Sequence, residues 1–139
     1  MNAAAANSSQ LFLALADKTR LRILNLLVAQ EISVLNFATV LQEPQPKISR
    51  HLAYLRDAKL VETRRDGKQI YYRLLTPEND FAKHILREVL SKLSEDEEMK
   101  IDFRRLKQSA GDLNENIESE ISAQTNASPQ KQELAVFLL

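Results

Sequence analysis

The 139-residue chain contains no cysteine. It therefore has no disulfide framework, no thiolate metal ligand and no cysteine nucleophile. Only two glycines are present, and the sequence offers no glycine-rich phosphate loop, no nucleophile beside a base and no metal-ligand constellation. An enzyme is not expected, and neither is a cofactor. There is no secretory signal pattern and no apolar run long enough to span a bilayer, so the cytoplasm is the expected compartment and no membrane partner is foreseen. Charge of one sign is also lacking overall, with 19 basic and 19 acidic residues.

That neutrality hides a segregation. Residues 1–43 carry three basic and three acidic groups, 44–75 carry eight and three, 76–94 carry three and three, and 95–139 carry five and ten. A block of net +5 inside a neutral chain is the local signature of a polyanionic partner, whereas the acidic end repels one. The length suits one modest core. The expected organisation is a frayed N-terminus over 1–7, a single domain over 8–110 and an acidic, disordered tail over 111–139.

Hydrophobic periodicity sketches the elements. Ser8 or Ser9 is positioned to cap a first helix bearing Leu11, Phe12 and Leu15, and Asp17 to end it and start the next. A second helix from Lys18 to Gln30 carries Leu21, Ile23 or Leu24, Leu27 and Val28, with Arg20, Arg22 and Asn25 expected outside. Ser33 caps a short helix through Leu41 with Leu35, Ala38 and Leu41 inward, and the QEP run at 42–44 breaks it. In QPKISRHLAYLRD (45–57), Ile48, Leu52 and Leu55 form one buried stripe, while Gln45, Lys47, Ser49 and Arg50 lie outside and His51 sits near the stripe's edge.

After Leu60 the period changes to two. Val61–Arg65 and Gln69–Leu75 read as a hairpin around Asp66, Gly67 and Lys68, with a basic tip. Pro77 and Glu78 are expected to open a long helix with an apolar stripe of Phe81, Ile85, Leu86, Val89, Leu90 and Leu93. A last helix from about Glu95 to Gln108, bearing Met99, Phe103 and Leu106, is expected to close at Gly111. Residues 112–133 are too polar to offset the entropy of ordering, and the terminal LAVFLL reads as an unstructured end.

This order predicts a mostly α fold with a small β-hairpin wing (α+β), a winged helix-turn-helix. An α-helix fits the major groove of B-DNA, where Gln and Arg hydrogen-bond to base edges and Ser and Lys anchor phosphates. A solvated charged face is the commoner fate of such residues. What favours DNA is the conjunction of a polar helix, the tight turn before it and a hairpin tipped by Arg64, Arg65, Lys68 and Gln69. The same face meeting an acidic protein is the alternative from another class, with a winged helix as an interaction module.

The pieces ALADKTRLRIL (14–24), QPKISRHLAYLRDAKLV (45–61) and RRDGKQIYYRL (64–74), in this order and spacing, resemble the ArsR/SmtB family from Leu11 to Leu75. The resemblance implies a bacterial repressor that binds a double-stranded operator as a homodimer and is released by an inducer. It places Gln45, Ser49, Arg50 and His51 at recognition-helix positions used on DNA and Arg64, Arg65 and Lys68 in the basic wing. Lys18, Thr19 and Arg20 open the second helix, where free N–H groups and side chains are candidates to hold a phosphate. Leu11, Phe12, Leu15, Phe81, Ile85, Val89 and Leu93 are the candidate dimer interface.

The departures concern the inducer. Arsenite-sensing members carry a Cys-Val-Cys run in the third helix, where this chain has Ser33, Val34 and Leu35. Soft metalloids need thiolates, so that chemistry is excluded and an inducer not bound through cysteine is expected. Zinc- and cobalt-sensing relatives use Asp and His two apart on the fifth helix. Here Asp80 and His84 are four apart, on one helical face with Glu88, which leaves a metal-responsive repressor with a fifth-helix site as a further alternative.

Overall fold

A computed structural model describes the backbone of residues 3–121 and the side chains of residues 8–109. The chain runs α1 (Ala3–Leu15), α2 (Lys18–Leu27), β1 (Ile32–Ser33), α3 (Val34–Leu41), α4 (Gln45–Asp57), β2 (Val61–Asp66), β3 (Gln69–Leu74), α5 (Asp80–Leu93) and α6 (Glu97–Ile121). Helix α2 is the hub. It packs against α1, α4, α5 and α6, and Ile23, Leu24, Leu26 and Leu27 are all fully buried. With partners on every side, this helix has no solvent face to speak of.

Two caps expected from the sequence are in place. Asp17 accepts a hydrogen bond from the Arg20 backbone N–H at 3.0 Å, and Ser33 Oγ accepts one from the Asn36 N–H at 3.2 Å, each satisfying a donor that the helix itself leaves free. Helix α3 ends where Gln42 adopts a left-handed conformation (φ 56°) and returns its N–H to the Ala38 carbonyl. Pro44 in extended conformation then starts α4. The turn thus comprises one left-handed residue and one proline, and it sets α3 against α4. Ile48, Leu52 and Leu55 point into the core with no exposed surface.

The hairpin pairs in register from Val61↔Leu74 to Asp66↔Gln69. Its two-residue loop begins at Gly67 with φ +60°, the position where a glycine-first hairpin turn requires the left-handed region. A short strand not foreseen from the sequence, β1, pairs with β3 through Ile32↔Tyr72 and Ser33↔Tyr71, giving the order β1-β3-β2. Two residues carry too little pattern to be read as a strand.

Several expectations are corrected. Arg22 and Asn25 are buried, not outside. Arg22 presents Nε and a terminal nitrogen to the two carboxylate oxygens of Asp102, each at 2.9 Å, and donates to the Leu41 carbonyl at 3.2 Å. Asn25 donates to the Met99 carbonyl at 3.4 Å. Leu35 is 60% exposed, because Phe37, Val40 and Leu41 define the buried face of α3 and Leu35 lies about 200° from Phe37. Helix α1 is under way before Ser8. Helix α5 starts at Asp80 behind Asn79, whose side chain accepts from the Ala82 N–H at 3.1 Å, in place of the expected Pro77 start. Helix α6 continues through Gly111 to Ile121, since an isolated glycine costs a helix only about 1 kcal/mol relative to alanine. Residues 122–139, with part of the stretch expected to be mobile and the LAVFLL end, lie outside the described residues.

Candidate nucleic-acid interface

Burying Ile48, Leu52 and Leu55 obliges the opposite side of α4 to face solvent. Gln45, Ser49 and Arg50 are exposed there, and none of their side chains makes an internal hydrogen bond among the described residues. Their hydrogen-bonding groups are free for an external ligand. Lys47 is half-buried and pairs with Glu43 one turn earlier at 3.1 Å. Arg56 in the last turn of α4 and Lys59 just after the helix are also exposed.

His51 differs from its neighbours. Its side chain is 17% exposed and its Nδ1 lies 3.7 Å from Asp17 Oδ1 and 3.3 Å from an Arg20 terminal nitrogen. A guanidinium has no acceptor, so Nδ1 must receive this hydrogen bond and the neutral ring carries its proton on Nε2. Burial, reinforced by the cations Arg20, Lys47 and Arg50, pushes His51 below its ordinary pKa against the opposing pull of Asp17. For Asp17, burial acts upward. The Arg20 backbone N–H, His51 and Arg20 outweigh it and hold the carboxyl below the usual value.

The wing divides into a tied root and a free tip. Arg64 sets Nε and a terminal nitrogen against Glu31, both at 2.8 Å, and stacks 4.9 Å from the centre of the Tyr71 ring. Arg73 pairs with Glu62 across the strands. Sequence reasoning missed Glu31 and Arg73: Glu31 reaches Arg64 only once the residues before β1 lie beside the hairpin, and Arg73 faces Glu62 through the β2–β3 register. Arg65, Lys68 and Gln69 are exposed at the tip and make no side-chain hydrogen bond or ion pair among the described residues.

The start of α2 differs from expectation. Thr19 is buried, which removes it as a phosphate ligand. Lys18 is bound to Glu98 at 2.6 Å. Arg20 donates to the carbonyls of Ala14 at 2.8 Å and Leu13 at 2.9 Å, and lies over the Tyr54 ring at 4.3 Å.

On another side of the molecule, Phe12 of α1 and Phe81 of α5 meet edge to face, 6.4 Å between centroids. Both remain about half exposed, as does Leu13. Leu15 of α1 and Ile85, Val89 and Leu93 of α5 are half-buried. Leu11 is not part of this face, because it is 5% exposed and belongs to the core. Asp80, His84 and Glu88 are exposed on α5. Among the described residues no three His, Cys, Asp or Glu side chains are grouped to hold a metal ion. The eight-residue span from Asp80 to Glu88 stretches about 12 Å along the helix, too far for convergence on one ion.

Among the described residues, no helix is long and apolar enough to cross a membrane. Residues 15–64 match the family described as helix-turn-helix domain. The chain is 52% identical over 66 residues to the arsenical resistance operon repressor of Escherichia coli, covering 47% of this chain and 56% of that protein. The matched segments span between 50% and 57% of the first curated relatives. The structure of HlyU from Vibrio cholerae superposes with TM-score 0.58 at 32% identity, over 69% of this chain and 100% of that one. A homodimeric winged helix-turn-helix DNA-binding domain from Mycobacterium bovis, described as a possible ArsR-family transcriptional regulator, superposes with TM-score 0.56 at 30% identity, over 67% of this chain and 83% of that one. With the turn before α4, the hairpin wing and these similarities in agreement, the chain belongs to the ArsR/SmtB family of winged helix-turn-helix transcriptional regulators.

Proposed function

We propose that residues 8–110 form a DNA-binding and dimerisation unit that represses transcription from the cytoplasm by occupying an imperfectly palindromic operator as a homodimer. The observation that carries this reading is the run of exposed, internally unbonded Gln45, Ser49 and Arg50 on a helix whose opposite face is locked in the core. Such a helix enters a major groove with its polar side groups already free. Gln45 and Arg50 read base edges, Ser49 and Lys47 hold phosphates, and His51 supports the helix from its inner edge. Arg65, Lys68 and Gln69 at the wing tip grip flanking backbone. Arg64 contributes from the wing root, where Glu31 fixes it.

Two recognition helices related by a two-fold axis reach grooves about 34 Å apart, joined through Phe12, Leu15, Phe81, Ile85, Val89 and Leu93. Repression then follows from occlusion of the promoter. Release requires an inducer bound without thiolate, because the chain has no cysteine.

The test uses a duplex selected by the protein from a random-sequence pool, compared with unrelated duplex. Binding must weaken steeply with salt, by a log-log slope of about −0.9 for each phosphate neutralised. Arg50→Ala and Gln45→Ala should lower preference for the selected duplex, whereas Arg65→Ala and Lys68→Ala weaken both duplexes alike. Salt-independent binding, or four variants with one uniform effect, refutes the assignment.

A further inference from the structure

Arg20 occupies a position that a phosphate ligand would not choose. Its Nε and one terminal nitrogen are directed to the Ala14 and Leu13 carbonyls at 2.8 and 2.9 Å. These are among the last carbonyls of α1, at the end that carries the helix's partial negative charge, and the Leu13 carbonyl also accepts the Ala16 N–H at 3.2 Å. The other terminal nitrogen reaches His51 Nδ1 at 3.3 Å. The flat guanidinium covers the Tyr54 ring at 4.3 Å. His51 and Tyr54 both belong to α4, so one side chain from α2 joins the end of α1 to the middle of α4. A second tie lies farther along, where Gln10 Nε2 donates to the Asp57 carbonyl at 3.2 Å. Helix α1 is therefore fastened to α4 at two points, while its outward side chains Phe12 and Leu13 remain half exposed.

We infer that Arg20 is a positioning residue that transmits the seating of α1 to the angle of α4, setting operator selectivity without touching DNA. The argument rests on the proposed role of α4 in reading DNA. Leu13 carries both ends of the link: its side chain lies on the exposed apolar face, and its carbonyl takes one arm of the fork. Packing of a second copy against that face fixes the carbonyls, and the fork fixes His51 and Tyr54 in turn. A planar fork can do this. An ammonium has neither the planar face that lies on a ring nor donors held in one rigid fork.

The experiment compares wild type, Arg20→Lys, Tyr54→Leu and the double variant on a duplex selected from a random pool and on unrelated duplex, across a salt series. Arg20→Lys keeps the charge and loses the fork; Tyr54→Leu leaves the bonds to α1 intact and carries the test alone if Arg20→Lys does not fold by circular dichroism. The expected result is a fall of at least about fivefold in the ratio of selected to unrelated affinity. The salt slope and the affinity for unrelated duplex should stay unchanged, and the double variant should fall no further than the worse single one. Loss of fold alone does not alter that ratio. A slope reduced by about two per dimer, with both duplexes weakened alike, makes Arg20 a phosphate ligand and overturns the inference. Unchanged selectivity in both single variants overturns it as well. If wild type itself fails to bind duplex in a salt-dependent way, the DNA-reading role of α4 fails first.

Discussion

Replacing Asp102 by alanine is the sharpest probe of how α6 joins the helix-turn-helix. Asp102 has no exposed surface and Arg22 is 10% exposed, so the carboxylate is the main counterion of a cation enclosed between α2, α3 and α6. Removing one partner of a buried pair costs about 3–5 kcal/mol. Arg22 keeps the Leu41 carbonyl at 3.2 Å and has Glu43 at 3.9 Å, which lowers the expected loss to about 2–4 kcal/mol. At fixed protomer concentration that corresponds to a fall of about 8–15 °C in the melting midpoint. The joint change Arg22→Met with Asp102→Leu removes both charges and should recover most of the loss. Thermal melts followed by far-ultraviolet circular dichroism decide it. A midpoint within about 2 °C of wild type for Asp102→Ala refutes the docking of α6 through this pair.

Phe81→Glu should leave the fold intact, since the side chain is half exposed in the protomer, yet abolish the dimer, because an unpaired carboxylate in an apolar interface costs several kcal/mol. Light scattering that still reports dimer would remove α5 from the interface. The depressed pKa of His51 predicts that the unfolded chain takes up a proton at a higher pH than the folded one. Stability is then complete above the ordinary histidine value, near 6.5, and declines as pH falls below it towards the folded pKa. His51→Gln should flatten that decline in urea titrations between about pH 5 and 7, and an unaltered profile would show that His51 is not its source. Arsenite should not release the protein from DNA, because the chain offers no thiolate. Release by zinc that His84→Ala abolishes would restore a fifth-helix metal site.

The parts of this molecule legible in its sequence are those governed by near neighbours. The stripe of Ile48, Leu52 and Leu55, the caps at Asp17 and Ser33 and the turn at Gly67 each depend on residues within a few positions, and periodicity or side-chain chemistry announces them. Arg22 and Asn25 were illegible for the opposite reason. Their partners lie 80 and 74 residues away, and a polar residue on an amphipathic helix is read as solvated until its acceptor is known. Arg20 combines both cases. Its place at the start of α2 suggests an anion site, but α1 and α4 have first to be packed together before its four partners, the Leu13 and Ala14 carbonyls, His51 and Tyr54, become visible. The exposed face of α4 was legible because the buried stripe fixes it by exclusion.

The small sheet has a bearing on how these molecules avoid one another. Its outer strand β2 presents four charged residues, Glu62, Arg64, Arg65 and Asp66, among the five exposed or half-exposed positions 62–66, and on the other side β1 offers only two residues before α3 begins. Open strand edges invite pairing with a neighbouring chain, and charged or very short edges discourage it. A hairpin can therefore protrude from the body without nucleating strand-by-strand aggregation, which fits the proposal that copies meet through the apolar side of α1 and α5 as a closed pair and not as an open fibre.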